Sequence, residues 1–225
     1  MNPYSHIVIA SKLEAIVNPE NLQEYYWGAI APDIRYLSAM QRQQTHISSQ
    51  KIIEFISEYP HLKSFLQGYW VHCLSDEIEL GQVFFLHFPF SIFKNKMSRQ
   101  QLAVILELFY FENEKVDKQI SGTYNQVLGE LGLSEEVCTK FSQSISRYAK
   151  SSSHESHLSD LFQLLGLEND SRIEKYKTAA NKFQGNWLMK NALFLGIRIG
   201  RISEQIASMV ASLYRQSSEK SKKPA

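Results

Sequence analysis

Residues 60–79 read PHLKSFLQGYWVHCLSDEIE and contain the pattern that decides the fold class. Pro60 suits the first turn of a helix, where a backbone N–H donor is not needed. After it, aromatic, imidazole and carboxylate side chains recur every three or four residues and share related turns of one helix face: Phe65, Tyr69, His72 and Asp76. The stretch therefore predicts a long helix over about residues 61–79.

Helical patterning extends over most of the remaining chain. Apolar residues recur at helical spacing in these segments: 5–17, 19–27, 48–58, 99–113, 113–131, 134–150 and 186–215. Gly28 is expected to end the second of these helices, with a loop over residues 29–34. Only 10 Gly and 6 Pro are present, which disfavours an all-β fold with many hairpins. We predict an all-α, multi-helix single domain over residues 1–215 and a disordered polar tail over residues 216–225.

Composition and charge exclude several classes of protein. The 24 Lys and Arg residues against 23 Asp and Glu give a net charge of +1, so nucleic acid is not expected as a stable partner. No stretch approaches the roughly 20 apolar residues of a transmembrane segment, and neither a signal peptide nor a basic amphipathic helix for docking on bilayers is apparent. Cys73 and Cys138 are interpreted as buried free thiols. These features predict a cytoplasmic protein.

Residues 84–93 form a separate apolar segment, FFLHFPFSIF. Pro89 interrupts any regular helix there. The segment is therefore predicted to be a buried turn or a lid.

His72 and Asp76 are the first candidate site residues. They are four residues apart on the predicted helix, so both side chains leave one face and can offer nitrogen and oxygen to the same cation. A helical ion pair, or a core histidine bonded to a carboxylate, is the alternative, and the pattern alone is weak. The intervening residues are mostly apolar, and a carboxylate buried among them has to be paired or bound to a metal.

Three other residues in the first third of the chain have metal-ligating side chains. Asp33 follows an apolar GAIAP stretch, where an N-cap is the alternative role. His46 follows Thr45 and is equally compatible with a surface position. His6 precedes an apolar Ile-Val-Ile run, where a satisfied buried histidine is the default interpretation. Each residue alone is compatible with a structural role.

The order of these motifs is similar to that of a known family. His6 before an apolar helix, GAIAPD at 28–33, Thr45-His46 and GYWVHCLSD at 68–76 resemble the zinc-dependent phospholipase C family. The all-helical fold of that family is shared with nucleases of the S1/P1 type. The resemblance covers about residues 1–80, which it marks as the metal-site half of the domain.

The resemblance implies a metal ion held by Asp33, His46, His72 and Asp76, with His6 as a fifth ligand or as a ligand of a second metal. Asp33 and Asp76 would also be catalytic residues, because they hold the metal that activates water for attack on phosphorus. These ligands suit a divalent transition metal, zinc first and iron, manganese or nickel as alternatives. The chain lacks the family's histidine just after the helix aspartate and its later His-x-x-x-Glu helix, so we expect no complete three-metal cluster.

The activity implied is hydrolysis of a phosphoester, and the substrate is open: a phospholipid head group, a nucleotide or a small phosphodiester. Arg35 could pair with a substrate phosphate, and Tyr110 and Asp117 could line the same cavity. A surface position for Arg35 is about as compatible with the sequence, and a solvated helix face for Tyr110 and Asp117 is more so. The alternative function is a non-catalytic helical ligand-binding or interaction protein that retains a structural metal.

Overall fold

The computed structural model describes residues 2–38, 40–94, 96–116, 120–150, 174, 178, 181–183 and 185–220, and this part of the chain is all-α, without a strand. The α-helices are α1 (Pro3–Val17), α2 (Leu22–Ile30), α3 (Arg35–Ser38), α4 (Arg42–Thr45), α5 (Ser49–Glu58), α6 (Lys63–Glu77), α7 (Leu80–Phe84), α8 (Arg99–Asn113), α9 (Gln126–Glu130), α10 (Glu135–Lys150), α11 (Trp187–Ile199) and α12 (Ile202–Lys220). Short 3-10 turns occupy Ala31–Ile34, Pro60–Leu62 and Phe90–Phe93. The predicted all-α, multi-helix single domain is confirmed.

Helices α2 and α6 are in backbone contact at two glycines. A Cβ on Gly28 would lie 1.9 Å from the carbonyl oxygen of Phe65, and one on Gly68 would lie 1.9 Å from that of Tyr25. A side chain at either position would therefore push the helices apart. The prediction that Gly28 ends its helix is wrong, because the glycine serves this packing. Helix α2 continues past it and runs directly into the first 3-10 turn.

Helix α1 packs against α2, α6, α8 and α12. Every residue from Pro3 to Ala10 is buried, including the polar residues Ser5 and His6. Polar groups in such a position need partners within the protein, because water does not reach them. The partners of these two residues belong to the site described below.

A single helix is expected over residues 113–131, but among the described residues from 114 onward only α9 is helical. Backbone donors of the intervening segment bond to side chains of other elements: Val116 donates its N–H to the hydroxyl of Tyr4, and Gly122 donates to Oγ of Ser142. These contacts replace the hydrogen bonds that a helix would supply.

The helix expected over residues 186–215 is two helices. Arg201 has a φ of 47°, which separates α11 from α12. Helix α12 then continues to Lys220, so the first half of the segment predicted as a disordered tail is helical. Residues 221–225 lie outside the described residues.

The apolar segment 84–93 is only partly buried. Phe84 and Phe90 lie in the core with their rings edge to face, whereas Leu86, Phe88 and Ile92 are exposed. The prediction of a buried turn is therefore wrong for Leu86, Phe88 and Ile92, and the alternative, a lid, stays a prediction. Both cysteines are buried and free, as expected.

None of the described helices combines the length and the apolar character that a bilayer-spanning segment needs.

Candidate metal centre

Four elements deliver histidine and aspartate side chains to one place in the bundle. Helix α1 supplies His6, and the first 3-10 turn supplies Asp33. His46 directly follows α4, and α6 supplies both His72 and Asp76. These residues form two groups of ligand atoms, His6–Asp33–His72 and His46–His72–Asp76, and within each group the atoms lie within 4.8 Å of one another. The structure thus brings together all five residues proposed as metal ligands, and His72 belongs to both groups.

The outer group lies at the edge of the core. Nε2 of His46 is 3.0 Å from Oδ2 of Asp76 and 3.2 Å from Nε2 of His72. The same Asp76 oxygen accepts a hydrogen bond from Nη2 of Arg42 at 2.9 Å. The Asp76 side chain is 7% exposed and that of Arg42 is 45% exposed. Arg42 therefore stands between this carboxylate and solvent.

The inner group is almost inaccessible. His6, Asp33 and His72 are at most 1% exposed. Nε2 of His6 and Oδ2 of Asp33 are buried and have no hydrogen-bond partner in the described part of the chain. Leaving one such atom unsatisfied costs about 1–3 kcal/mol. A shared cation would satisfy both atoms, so these residues fit a metal ion.

Hydrogen bonds on the far side of two rings fix the position of the imidazole proton. Nδ1 of His72 donates to the carbonyl oxygen of Ala29 at 2.8 Å. Oγ of Ser75 donates to the carbonyl oxygen of His72, so it accepts from Nδ1 of His6 at 2.8 Å. Since a neutral imidazole carries one proton, Nε2 of His6 and Nε2 of His72 both present a lone pair to the centre. A metal-ligating histidine needs this tautomer.

His46 lies between two acceptor atoms of neighbouring side chains. Its Nε2 faces the lone pair of His72 Nε2 and an oxygen of Asp76, so without a cation the proton of His46 belongs on Nε2. Oγ1 of Thr45, which donates to the carbonyl oxygen of Arg42 at 3.4 Å, lies 3.2 Å from Nδ1 of His46. A metal ion would replace the Nε2 proton of His46.

Burial dominates the protonation of the centre. It lowers the pKa of His46, and it lowers the pKa values of His6 and His72 well below the usual range. Burial and the charge of Asp76 raise the pKa of Asp33 to about 7. Burial alone would also raise the pKa of Asp76, but the charge of the chain's N-terminus and the hydrogen bond from His46 hold it well below its usual range. At neutral pH the centre therefore combines neutral imidazoles with an ionised Asp76.

Glu107 is a supporting residue that sequence reasoning missed. It is fully buried on α8, and its carboxylate accepts hydrogen bonds from the backbone N–H groups of Tyr4 (2.9 Å) and Ser5 (2.7 Å), from Oγ of Ser5 (2.6 Å) and from the hydroxyl of Tyr148. It satisfies first-turn donors of α1, the helix that carries His6. A single acid within the apolar stretch LAVILELFYF, residues 102–111, is the signal that could have revealed it.

Two arginines near the centre were also not identified from the sequence. Arg42 lies in a polar stretch without any distinguishing pattern. Arg99, at the start of α8, donates from Nη2 to the backbone carbonyl oxygen of Asp76 at 2.7 Å. Both place positive charge at the outer edge of the centre.

The three predicted substrate-binding residues have different positions. Arg35 lies near the centre, where its charge opposes the rise in the pKa of Asp33, and its Nη2 donates to the hydroxyl of Tyr36 at 2.6 Å. Tyr110 is fully buried on α8 beside the ring of Phe109, which is a packing position. Asp117 lies outside the described residues.

Comparison with known proteins adds no family assignment. No protein family, curated protein or solved structure matches the chain. The metal-site hypothesis therefore rests on the geometry of the five ligand side chains and on the hydrogen bonds that orient them.

Proposed function

We propose that the protein is a metal-dependent phosphoester hydrolase similar to zinc-dependent phospholipase C. The observation that carries the proposal is the convergence of three imidazoles and two carboxylates, with the Arg42 guanidinium on the outer carboxylate. A metal alone does not need an arginine beside its ligands, whereas a phosphoester brings negative charge that a guanidinium binds well. The substrate class that fits is a small phosphoester or a phospholipid head group.

Zinc is the metal that we propose for the centre, with iron, manganese or nickel as alternatives. Imidazole nitrogens together with carboxylate oxygens suit these ions. When bound, such an ion lowers the pKa of a coordinated water to about 7 and offsets charge on the phosphoryl oxygens. The proton that Asp33 retains near neutral pH would leave as the ion binds, which turns Asp33 into an anionic ligand.

The chain's own residues divide the tasks of holding the ion and holding the substrate. Ala29 and Ser75 lock the rings of His72 and His6, which makes these histidines rigid donors. Arg42 is half-exposed on the short helix α4 and can exchange its carboxylate partner for a phosphate oxygen. The guanidinium would then hold the substrate against the ion.

The test is hydrolysis of bis-p-nitrophenyl phosphate by the full chain with added Zn(II), added Mn(II) or a chelator. We expect turnover that requires the metal and that falls by a factor on the order of 10²–10³ or more in Asp76→Asn. Arg42→Ala should raise KM and leave the metal content unchanged. Arg147→Ala, which removes an exposed arginine of α10, is the matched control. Equal rates for wild type and Asp76→Asn would contradict the proposal.

A second candidate function is that of a helical binding protein with a structural metal. The burial of His6, Asp33 and His72 favours it, because structural metal sites are closed whereas catalytic sites keep an open position. A chain that binds metal and loses stability with chelator, yet cleaves neither the soluble diester nor phosphatidylcholine in micelles, would have this function.

A further inference from the structure

Helix α11 is apolar on the side that faces solvent as well as on the side that packs into the bundle. Its inner side is formed by buried residues: Leu193, Phe194, Gly196 and Ile197. Its outer side is formed by exposed residues at helical spacing: Leu188, Ala192, Leu195 and Ile199. Leu188 is 73% exposed and Ile199 is 74% exposed. The outer side of a surface helix normally carries polar residues, so the fold of the described chain does not account for this stripe.

A second exposed apolar segment lies beside this stripe. A Cβ on Gly196 would lie 2.6 Å from the ring of Pro89, and one on Gly200 would lie 2.7 Å from the ring of His87, so residues 87–89 pack directly on α11. In the same segment Leu86 is 75% exposed, Phe88 73% and Ile92 62%. Because residues 87–89 contact α11, we treat the exposed apolar side chains of the two elements as one surface, the apolar face: Leu86, Phe88, Ile92, Leu188, Leu195 and Ile199.

The charged side chains within the two segments of the apolar face have one sign. Residues 80–106 and 175–203, which include both parts of the face, contain no Asp or Glu. The exposed cations within these stretches and closest in sequence to the face are Lys94, Lys96, Arg198 and Arg201. Lys190 pairs with Glu112 of α8 and adds little to this rim. The two segments of the face therefore combine exposed apolar side chains with cations and carry no acidic residue of their own.

We propose that the apolar face docks on anionic lipid bilayers. Apolar side chains of a docking surface enter the boundary of the acyl chains, while lysine and arginine are attracted to anionic head groups. Trp187, which is 71% exposed at the start of α11, has the amphipathic ring that is enriched at membrane interfaces. A second copy of the chain would bring the same positive rim, and this repulsion disfavours self-association through the face.

Neither segment alone reveals this surface in the sequence. Helix α11 carries only two cations, Lys190 and Arg198, so it does not have the pattern of a basic amphipathic helix. Half of the apolar side chains and the two lysines come from residues 86–96, which only the contact with Gly196 and Gly200 brings to the helix.

The experiment is co-sedimentation of the full chain, kept in chelator, with vesicles of phosphatidylcholine alone or mixed with phosphatidylglycerol. We expect binding to the mixed vesicles, much weaker binding to the neutral ones, and a decrease as the salt concentration rises from about 0.1 M to about 1 M, which shortens the Debye length from about 10 Å to about 3 Å. Trp187 reports docking through a blue shift of fluorescence, since Trp27 and Trp70 are only 2% and 3% exposed. The chelator makes the result independent of the proposed hydrolase activity.

Two variants test the two components of the face. We expect each of two double variants to weaken binding to the mixed vesicles by roughly tenfold or more. Leu195→Ser/Ile199→Ser removes apolar side chains from the face. Lys94→Glu/Lys96→Glu removes two lysines, each of which alone accounts for about fivefold. The matched controls are Leu22→Ser on α2 and Lys140→Glu/Lys150→Glu on α10, which change exposed residues elsewhere and should bind like wild type.

Three outcomes would overturn the proposal. One is equal binding to neutral and anionic vesicles, and another is the absence of binding to either. The third is a dimer in solution that Leu195→Ser/Ile199→Ser dissociates, which would make the face an interface between two copies of the chain.

Discussion

The imidazole rings of His6 and His72 are stacked, with their centroids 3.7 Å apart and their planes inclined by 18°. The two residues lie on different helices, α1 and α6, and both are buried. Two protonated rings at this distance would repel each other strongly without solvent to screen them, and burial lowers the pKa of each. The pair is therefore neutral near physiological pH and offers two lone pairs to a cation.

The metal-free protein should lose stability as the pH falls below about 6.5, the usual pKa of histidine. In this range the histidines of the unfolded chain bind protons, whereas His6 and His72 in the folded chain do not. The free energy of unfolding then falls by about 1.4 kcal/mol per pH unit for each net proton bound by the unfolded state. Urea denaturation in chelator at a series of pH values measures this decrease.

Asp33 has the opposite effect on the pH dependence of stability and provides an internal control. Its pKa is raised to about 7, so between about pH 4 and 7 the folded chain keeps a proton that the unfolded chain releases. This contribution increases stability as the pH falls. The unfolded chain gains protons on two histidines while the folded chain keeps only one on Asp33, so the free energy of unfolding still falls with pH. Asp33→Asn removes the opposing contribution and should make this decrease steeper. A free energy of unfolding that stays constant from neutral pH to about pH 5 would contradict the assignment of neutral, buried histidines.

Purified protein should carry close to one transition metal ion per chain, and His72→Ala should abolish its binding. His72 belongs to both groups of ligand atoms found among the described residues, so each group keeps only two ligands without it. His61→Ala removes an exposed histidine near the start of α6 and serves as the control. Metal analysis of the three proteins after gel filtration is the measurement, and equal metal content in both variants would refute the site.

Removal of the metal should lower the melting temperature at neutral pH. An ion that binds only the folded chain stabilises it by about 2.7 kcal/mol when its free concentration is about 100 times Kd. Differential scanning calorimetry with and without chelator measures the change. The melting temperature of His72→Ala should not respond to chelator; a response as large as that of wild type would mean that the chelator acts elsewhere.

Glu107→Gln should destabilise the protein by about 1–3 kcal/mol, because the amide has only one oxygen to accept from the donors of Tyr4 and Ser5. Metal affinity should fall as well, since these donors lie in the first turn of α1 next to His6. Glu112→Gln on the same helix is the control, because its ion pair with Lys190 is partly exposed and contributes little. Urea denaturation measures the stability of both variants, and metal titration measures their metal affinity. Equal values for the two variants would show that Glu107 does not position α1.

Local physical chemistry made part of this protein predictable from its sequence. Helical spacing and scarce glycine and proline predict the all-α class, and the four-residue interval places His72 and Asp76 on one face of α6. Ser48 and Ser98 accept hydrogen bonds from backbone N–H groups at the starts of α5 and α8, as N-caps should. These features depend on residues within a few positions of each other, so the order of residues is sufficient to reveal them.

Only the tertiary structure decided the features that depend on contacts between distant residues. Glycine is common at helix ends, but Gly28 lies in the contact between α2 and α6, because the backbone of α6 approaches it too closely for a side chain. Glu107 supports α1 across about 100 residues of chain, and the apolar face exists because residues 86–92 pack on α11. Burial and the approach of partners from other helices set the pKa of Asp33 and the tautomers of His6 and His72. Sequence spacing determines which face of a helix a side chain occupies, but not which other element meets that face.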